Sequence, residues 1–212
     1  MLASMQGTAH EGSANNSRTL VLFSYYETAR AKKNLAFFAE NGMFLRDDVD
    51  WLFVANSFVC VDLPEHPSVG ILFRENTCYD LGSFREVIEK YDFDKKYGRI
   101  ITMNASARGP FMPQWSKECW LDKFTSKLSD KVKIVGTTIN CQRWTVDREH
   151  SKWMKNRPHL QSMILAIDKA AVRPLIELYR CFDDKDDAIF EGEVRNIMRM
   201  KQLGYSVYAF NN

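Results

Sequence analysis

Apolar positions along this chain come in short blocks that are separated by polar or amphipathic segments. The wholly apolar run TLVLFS is typical of a strand that is buried on both faces of a sheet. Similar runs predict strands at residues 19–24, 51–55, 70–73, 99–103, 131–135, 162–167 and 205–210. Amphipathic spacing predicts helices at residues 29–41, 81–90, 115–128, 170–180 and 191–203. This alternation predicts an α/β fold in a single domain, with a central, mostly parallel sheet of about six strands flanked by helices.

The pattern also predicts where the domain begins and which segment moves. Residues 1–18 are small and polar, which predicts a flexible arm before a domain at residues 19–212. Residues 142–158 are polar and without a clear period, so we expect a mobile loop that carries Trp144 and Trp153. The chain stops directly after its last predicted strand, and we therefore expect a domain excised from a longer polypeptide, with the other domains as partners.

Composition and charge exclude several functional classes. The chain has 212 residues, 45% of them hydrophobic, which is enough to bury a core. Its formal net charge of +2 gives no strong positive electrostatic field that would attract nucleic acid. No apolar run reaches the roughly 18 residues of a membrane span. The five cysteines are far apart, odd in number and without a CxxC pair, which predicts reduced thiols in a cytoplasmic protein.

The common catalytic signatures are missing from the sequence. There is no GxGxxG after the first predicted strand, no Walker A sequence and no GxSxG elbow, which argues against a nicotinamide enzyme, a P-loop enzyme and an α/β hydrolase. The four histidines are scattered without metal-ligand spacing, so a zinc site is not expected. What remains is a set of polar residues at the ends of predicted strands.

Residues 69–113 form the most informative stretch, because they read as strand, helix, strand with polar groups where each strand stops. Arg74 and Asn76 follow one strand, Asp80 precedes the helix, and Asn104 ends the next strand. The carboxyl ends of strands in an open α/β sheet form the ligand crevice. Oxygen ligands and cations gathered there suit a polyanionic ligand with a divalent ion.

Five segments carry a resemblance to a known family: RENTCYDLGSF, MNASARGPFMP, KIVGTTINC, PHLQSMILA and EGEVRNIMR. As a set they resemble GT-A-type glycosyltransferases, and most closely the glycosyltransferase domains of chlorovirus proteins that build capsid glycans. The resemblance implies a GT-A fold, a UDP-sugar donor (UDP-rhamnose, or UDP-glucose), a xylose-containing glycan acceptor and transfer with retention. It also implies a divalent metal, Mn²⁺ or Mg²⁺, and a viral protein in the host cytoplasm.

One departure from that family concerns the metal. GT-A enzymes carry Asp-x-Asp after the fourth strand, where this chain reads Asn104-Ala105-Ser106. Neutral oxygens are weaker ligands for a hard cation than carboxylates. We therefore expect Asp80, Asn104 and Ser106 to share the metal, with Asp80 as the carboxylate. The structural alternative is that Asp80 is a helix N-cap.

The resemblance also assigns a donor-binding set, which includes the metal-site residues: Tyr25, Tyr26, Glu27, Arg74, Asn76, Asp80, Asn104, Ser106, Arg108 and His159. A tyrosine after the first strand can stack on uracil, and filling of the core is the alternative. Arg108 can pair with phosphate or form a surface ion pair. His159 can bind diphosphate or acceptor, or can serve the structure alone.

Three residues are candidates for the chemistry. By resemblance Gln161 lies beneath the anomeric carbon, and as an amide it favours a front-face mechanism over a glycosyl-enzyme intermediate. Glu191 orients the acceptor or acts as a base, and Glu193 is its rival. The alternative for both glutamates is stabilisation of a helix dipole. Polar residues after the preceding strand are expected to line the sugar pocket: Thr137, Thr138 and Asn140.

Two other functions stay open at the level of sequence. The chain can be a non-catalytic nucleotide- or carbohydrate-binding module that lost its Asp-x-Asp, for which Asn104 is the best support. It can also be a different α/β nucleotide-binding enzyme, although the missing glycine fingerprints count against that.

Overall fold

The computed structural model describes residues 17–113, 115–141 and 158–211. The predicted arm at residues 1–18 lies outside these ranges apart from its last two residues. The predicted loop at residues 142–158, with Trp144 and Trp153, lies outside them apart from Pro158.

Strands and helices alternate through the described part of the chain. The strands are β1 (Thr19–Tyr25), β2 (Val49–Ala55), β3 (Val69–Phe73), β4 (Arg99–Asn104), β5 (Val132–Asn140), β6 (His159–Leu160), β7 (Ile164–Asp168) and β8 (Ser206–Asn211). The helices are α1 (Ala29–Asn41), α2 (Tyr79–Lys90), α3 (Phe93–Lys96), α4 (Trp120–Thr125), α5 (Lys169–Ile176), α6 (Lys185–Asp187) and α7 (Asn196–Gln202), and a π-helix (Ala188–Glu193) follows α6 directly.

The strands form one mixed sheet in the order β3-β2-β1-β4-β7-β5-β6, with β8 also paired to β5. Strands β3, β2, β1 and β4 are parallel, and β8 is parallel to β5. Strand β7 is antiparallel to both β4 and β5. The prediction of a single α/β domain with mostly parallel central strands and flanking helices is confirmed. The described residues form eight strands rather than about six, and the two-residue β6 was not predicted.

The wholly apolar runs became central strands because both faces of the sheet are covered. Every residue of β1 and β2 is buried. Leu20 and Leu22 face a core with α2, α5 and α7, whereas Val21 and Phe23 face a core with α1 and α4. Burial on both faces removes the alternation of polar and apolar residues that a half-exposed strand would show.

Several boundaries differ from the sequence prediction. The helix expected at residues 115–128 spans only Trp120–Thr125, and the strand expected at 131–135 continues to Asn140. The helix expected at 191–203 is divided into the π-helix and α7, and the segment before the π-helix forms the short helix α6. Tertiary pairing extends β5, since β7 and β8 hydrogen-bond along it.

The prediction that all cysteines are reduced is wrong for two of them. Cys78 and Cys181 form a disulfide that joins positions 103 residues apart, between the start of α2 and the loop after α5. Gly82 makes this closeness possible, because a Cβ there would lie 2.5 Å from Cys78 Cβ and 3.2 Å from the Arg180 carbonyl oxygen. Disulfides are rare in the reduced cytosol, so the cysteine argument for a cytoplasmic protein loses its support.

The end of the predicted arm is fixed to the sheet. The Arg18 guanidinium donates to both carboxylate oxygens of Asp50, at 2.6 and 2.7 Å, and the Tyr97 hydroxyl donates to the same carboxylate at 2.8 Å. Asp50 lies within β2, next to β1.

None of the helices in the described ranges has both the length and the apolar character needed to cross a membrane.

Candidate functional site

A polar cavity of about 590 Å³ lies where β1, β2 and β4 end, and we call it the strand-end cavity. Each of these parallel strands delivers a polar residue at its carboxyl end: Ser24 from β1, Asn56 directly after β2 and Asn104 from β4. The start of α2 forms one wall, and α6 with the π-helix forms another. A sheet of this type places its ligands at this edge.

A chain of hydrogen bonds crosses the floor of the cavity. The Asn104 amide nitrogen donates to Asp80 Oδ2 at 2.6 Å, and the Ser106 backbone N–H donates to Asn104 Oδ1 at 3.1 Å. The Ser106 hydroxyl donates to the same Asn104 oxygen. Asn104 therefore contacts both of the other residues that are expected to share a metal, Asp80 and Ser106.

Asp80 lies in the first turn of α2 and is not its N-cap. The cap position is Cys78, which has a left-handed φ of 64° and makes no side-chain capping bond. Asp80 Oδ1 instead accepts from the Leu81 N–H at 3.0 Å. Withdrawal from water raises the pKa of Asp80, and the hydrogen bonds from Asn104 and from the Leu81 N–H oppose the rise. A half-buried carboxylate with a raised pKa at the wall of a cavity is a candidate for a functional role.

Glu193 is the second carboxylate of the cavity. It ends the π-helix, and its Oε1 accepts the Ser162 N–H at 2.6 Å. Burial raises the pKa of Glu193, the Ser162 N–H opposes the rise, and the negative charge of Asp80 adds to it. Burial also raises the pKa of the Tyr179 phenol, with further contributions from Glu193 and Asp80. The two carboxylates thus belong to one electrostatic site.

The rival glutamate lies elsewhere. Glu191 is two residues from Glu193, but its carboxylate pairs with Arg195 at 2.6 Å and with Arg180 at 3.5 Å. It faces a separate depression beside Cys181 and not the strand-end cavity. Of the two glutamates that the sequence left in competition, the structure brings only Glu193 to Asp80 and Asn104.

Asn56 is a cavity residue that the sequence reasoning missed. Its amide nitrogen donates to the Tyr25 carbonyl at 3.2 Å, and its Oδ1 accepts from Arg74 at 2.5 Å. Arg74 also pairs with Glu86 at 2.6 Å, so it holds Asn56 and does not itself line the cavity. The signal was present, because Asn56 is the first polar residue after the apolar run of β2, as Asn104 is in β4.

The cations that line the cavity are not the predicted Arg74 and Arg108. Arg30 and Lys185 line it, from α1 and α6 respectively. The Arg108 guanidinium instead lies 4.4 Å from the centre of the Phe37 ring and lines a different, apolar cavity. Arg30 and Lys185 gave no strand-end signal in the sequence, since both lie in helical segments.

The remaining predicted donor residues divide into two groups. Tyr26 and Asn76 line the strand-end cavity. Tyr25 is 1% exposed and belongs to the core, where its hydroxyl donates to Glu27 Oε2 at 2.5 Å. Neither Tyr25 nor Glu27 is among the described residues that line the cavity.

Neither of the two predicted residues before β7 is among the described residues that line the cavity. His159 is 2% exposed and pairs with Asn140 in the β5–β6 ladder. The Gln161 N–H donates to the Thr138 carbonyl at 3.2 Å, and the next residue, Ser162, is the one that lines the cavity.

Among solved structures, the fold is similar to the mannosyltransferase PcManGT from Pyrobaculum calidifontis in complex with GDP-Man and Mn²⁺. The TM-score is 0.52 at 11% sequence identity, and the match covers 99% of this chain. This chain has a glycosyltransferase-like fold. It spans 61% of the length of that protein. No protein-family profile and no curated protein sequence matches the chain, so the resemblance to chlorovirus domains stays a prediction.

The donor set of the cavity fits a hard divalent cation that is shared with a ligand. Asp80, Glu193, Asn104 and Ser106 offer only oxygen atoms to a metal, which is the ligand type of Mg²⁺ and Mn²⁺. Within the described ranges no three His, Cys, Asp or Glu side chains converge as a preformed metal site. Most coordination positions would therefore come from a bound phosphate and from water.

Proposed function

We propose that this chain is a glycosyltransferase that binds a nucleotide-sugar donor in the strand-end cavity. The observation that carries the proposal is the contact between Asp80 and Asn104 in a polar cavity at the carboxyl ends of parallel strands, within a glycosyltransferase-like fold. The structural neighbour was solved with a nucleotide sugar and Mn²⁺, which supports the same ligand classes here.

The cavity residues suit a diphosphate. Arg30 and Lys185 supply positive charge, and Ser106 and Asn104 supply neutral hydrogen-bonding groups. Tyr26 is 50% exposed at the mouth and offers a ring on which a nucleotide base can stack. Departure of the nucleoside diphosphate develops negative charge on its phosphate oxygens, and fixed cations close to those oxygens lower the energy of that step.

Asp80 and Asn104 are the residues that would hold the metal, together with Ser106. A bound divalent ion supplies further stabilisation of charge on the leaving diphosphate. Because one half-buried carboxylate and neutral oxygens make a weak site, we expect the ion to bind with the nucleotide and not before it. Asn104 then serves twice, since its amide nitrogen holds the Asp80 carboxylate in place.

Glu193 is the group we propose for work on the acceptor hydroxyl. Its pKa is raised by burial, which brings a carboxyl group closer to the working range of a general base. The Ser162 N–H orients it at 2.6 Å. Glu193 takes the place of Glu191 in this role. Gln161 does not itself line the cavity, but it is adjacent to Ser162, which does.

The finer features of the proposal come from the sequence resemblance alone. They are UDP as the nucleotide, rhamnose or glucose as the sugar, a xylose-containing acceptor, retention of configuration, and a place in viral capsid glycosylation in the host cytoplasm. A donor-binding part for His159 and a catalytic part for Gln161 also come from that resemblance, whereas Arg108 lines a different cavity and is left out of the proposal. The domain division also stays a proposal, with an arm at residues 1–18 and a glycosyltransferase domain at 19–212. The structural neighbour carries GDP-mannose, so both nucleotides belong in any test.

The test is release of nucleoside diphosphate from UDP- and GDP-sugars in the presence of Mn²⁺, with water as the acceptor. We expect the wild-type chain to release UDP or GDP, and Glu193→Gln to lower the rate by about 10²–10⁴-fold, as for removal of a general base. Glu191→Gln is the matched control, because Glu191 is two residues away and outside the cavity. Equal rates in the two variants would contradict the role of Glu193.

A non-catalytic nucleotide-binding module is the second candidate. It is favoured by the neutral Asn104, whose oxygen is already engaged by the Ser106 N–H at 3.1 Å. The same assay separates the two functions. A binding module takes up the nucleotide sugar and releases no nucleoside diphosphate with any donor in the panel.

A further inference from the structure

A second cavity, of about 310 Å³, lies on the face of the sheet that α1 and α4 cover, and we call it the ring-lined cavity. Its walls are mainly apolar and aromatic: Phe23, Phe38, Met103, Trp120, Phe124 and Phe210. The volume is at the lower end of the roughly 300–1,000 Å³ found for small-molecule sites. Nothing in the proposed sugar transfer uses this cavity.

The two cavities share one loop. After β4, Ala105 and Ser106 line the strand-end cavity, and the following residues 107–112 line the ring-lined cavity. The loop is anchored from behind by Asn34, whose amide nitrogen donates to the Ala105 carbonyl at 2.8 Å. The ring-lined cavity is therefore a separate space next to the proposed donor site and not an extension of it.

Two polar side chains of the ring-lined cavity have no polar side-chain partner within the described ranges. The Thr137 hydroxyl is buried and has no hydrogen-bond partner within the described part of the chain. Arg108 is exposed and stacks on Phe37, with one long hydrogen bond of 3.4 Å to the Lys33 carbonyl. Across the described ranges no carboxylate forms an ion pair with Arg108, whereas the other lining cation, Lys123, is paired with Glu118.

We propose that the ring-lined cavity binds a small amphiphilic anion. Its apolar body replaces water along the aromatic walls, its acidic group pairs with Arg108, for which the described ranges hold no carboxylate partner, and one of its oxygen atoms engages the Thr137 hydroxyl. A buried hydroxyl without a partner destabilises a protein, and a ligand oxygen removes that cost. A guanidinium that lacks a carboxylate partner selects carboxylate or phosphate, which gives the ligand its charge.

The test is calorimetric titration of the full chain with decanoate, decyl phosphate, decanol and decyltrimethylammonium, each below its micelle concentration. We expect one equivalent of each anion to bind, decanol to bind more weakly, and the cation not to bind. Arg108→Gln should weaken binding of the anions by roughly 10- to 100-fold, the share of a hydrogen bond to a charged group, and leave decanol unchanged. Lys123→Gln is the matched control, because that cation is already paired with Glu118.

Two further variants test the position of the ligand. Thr137→Val should weaken the anions by about 2- to 10-fold and raise the melting temperature of the free protein, because it removes a buried hydroxyl without a partner. Ala107→Trp should fill the cavity and abolish binding of decanoate while nucleotide binding in the strand-end cavity persists. The proposal is overturned if no anion binds, if the cation binds as well as the anions, or if Arg108→Gln and Ala107→Trp leave the anion affinity unchanged. Since the readout is binding of amphiphiles, its failure leaves the proposed sugar transfer unaffected.

Discussion

The substitution Asn104→Asp restores the first acid of the Asp-x-Asp sequence and tests how the strand-end cavity is built. In the wild-type chain the Asn104 amide nitrogen donates to Asp80 Oδ2 at 2.6 Å. The substitution replaces that donor with a carboxylate that faces Asp80. We therefore expect the variant to be less stable than the wild type at neutral pH, and to recover stability when a divalent ion separates the two carboxylates.

The magnitude follows from the contact that is lost and the repulsion that replaces it. A hydrogen bond to a charged group contributes about 1.5–3 kcal/mol. Two like charges about 4 Å apart repel by about 4 kcal/mol at an effective dielectric constant of about 20. Uptake of a proton by one carboxyl relieves part of the repulsion, so we expect a net loss of roughly 3–5 kcal/mol. At about 2–4 °C for each kcal/mol in a chain of this size, the melting temperature should fall by roughly 6–20 °C.

The assay is thermal unfolding at several pH values, with and without Mn²⁺. The deficit of Asn104→Asp should be largest near neutrality, should shrink towards about pH 4, where carboxyl groups take up protons, and should shrink when Mn²⁺ is added. Asn104→Leu is the control, because it loses the same hydrogen bond without adding charge and should not respond to Mn²⁺. A deficit of Asn104→Asp that is independent of both pH and Mn²⁺ would refute the proposed contact.

Three further predictions concern stability. Glu193→Gln should raise the melting temperature at neutral pH and not at acid pH. Burial raises the pKa of Glu193 in the folded protein. The contribution of Glu193 to stability is therefore fully present below the ordinary glutamate pKa and is lost as pH rises through the raised value. Asn196→Ala should lower the free energy of unfolding, measured in urea, by about 2–5 kcal/mol. The buried Asn196 amide accepts from the Leu160 N–H at 3.1 Å and donates to the Leu160 carbonyl at 2.7 Å. The control Asn41→Ala, at an exposed position, should change the same free energy by less than about 0.5 kcal/mol. Cys78→Ser should lower the free energy of unfolding by about 2–5 kcal/mol and abolish the effect of reductant on the melting temperature, whereas Cys60→Ser should do neither. Thiol titration of the unreduced, unfolded wild type should count the three thiols of Cys60, Cys119 and Cys141. A count of five thiols would refute the disulfide.

The sequence predicted the strands and the edge of the sheet that carries the site, because both depend on local patterns. Apolar runs showed the buried strands, and the first polar residue after such a run showed Asn104. The same rule indicates Asn56, the first polar residue after β2. The antiparallel direction of β7 could not be predicted from the sequence, since an apolar strand packs equally well in a parallel or an antiparallel ladder.

The chemistry of the site depended on contacts between residues that are distant in the chain. Glu191 and Glu193 are both near a predicted helix start, and only the π-helix before α7 turns Glu193 towards Asp80 and Glu191 towards Arg195. Arg108 follows the Asn104–Ser106 motif directly, but its contact with Phe37 of α1 takes it to the other cavity. The Cys78–Cys181 disulfide spans 103 residues and left no spacing signal.

The most direct measurement is calorimetric binding of UDP and of GDP to the chain, with and without Mn²⁺. The account predicts that one of the two nucleotides binds, that Mn²⁺ strengthens its binding, and that Asp80→Ala abolishes the contribution of Mn²⁺. Asp92→Ala is the control, because Asp92 is exposed and pairs with Lys95 away from the strand-end cavity. Binding that Mn²⁺ and Asp80→Ala leave unchanged would contradict the proposed site, and no binding of either nucleotide would contradict the proposed function.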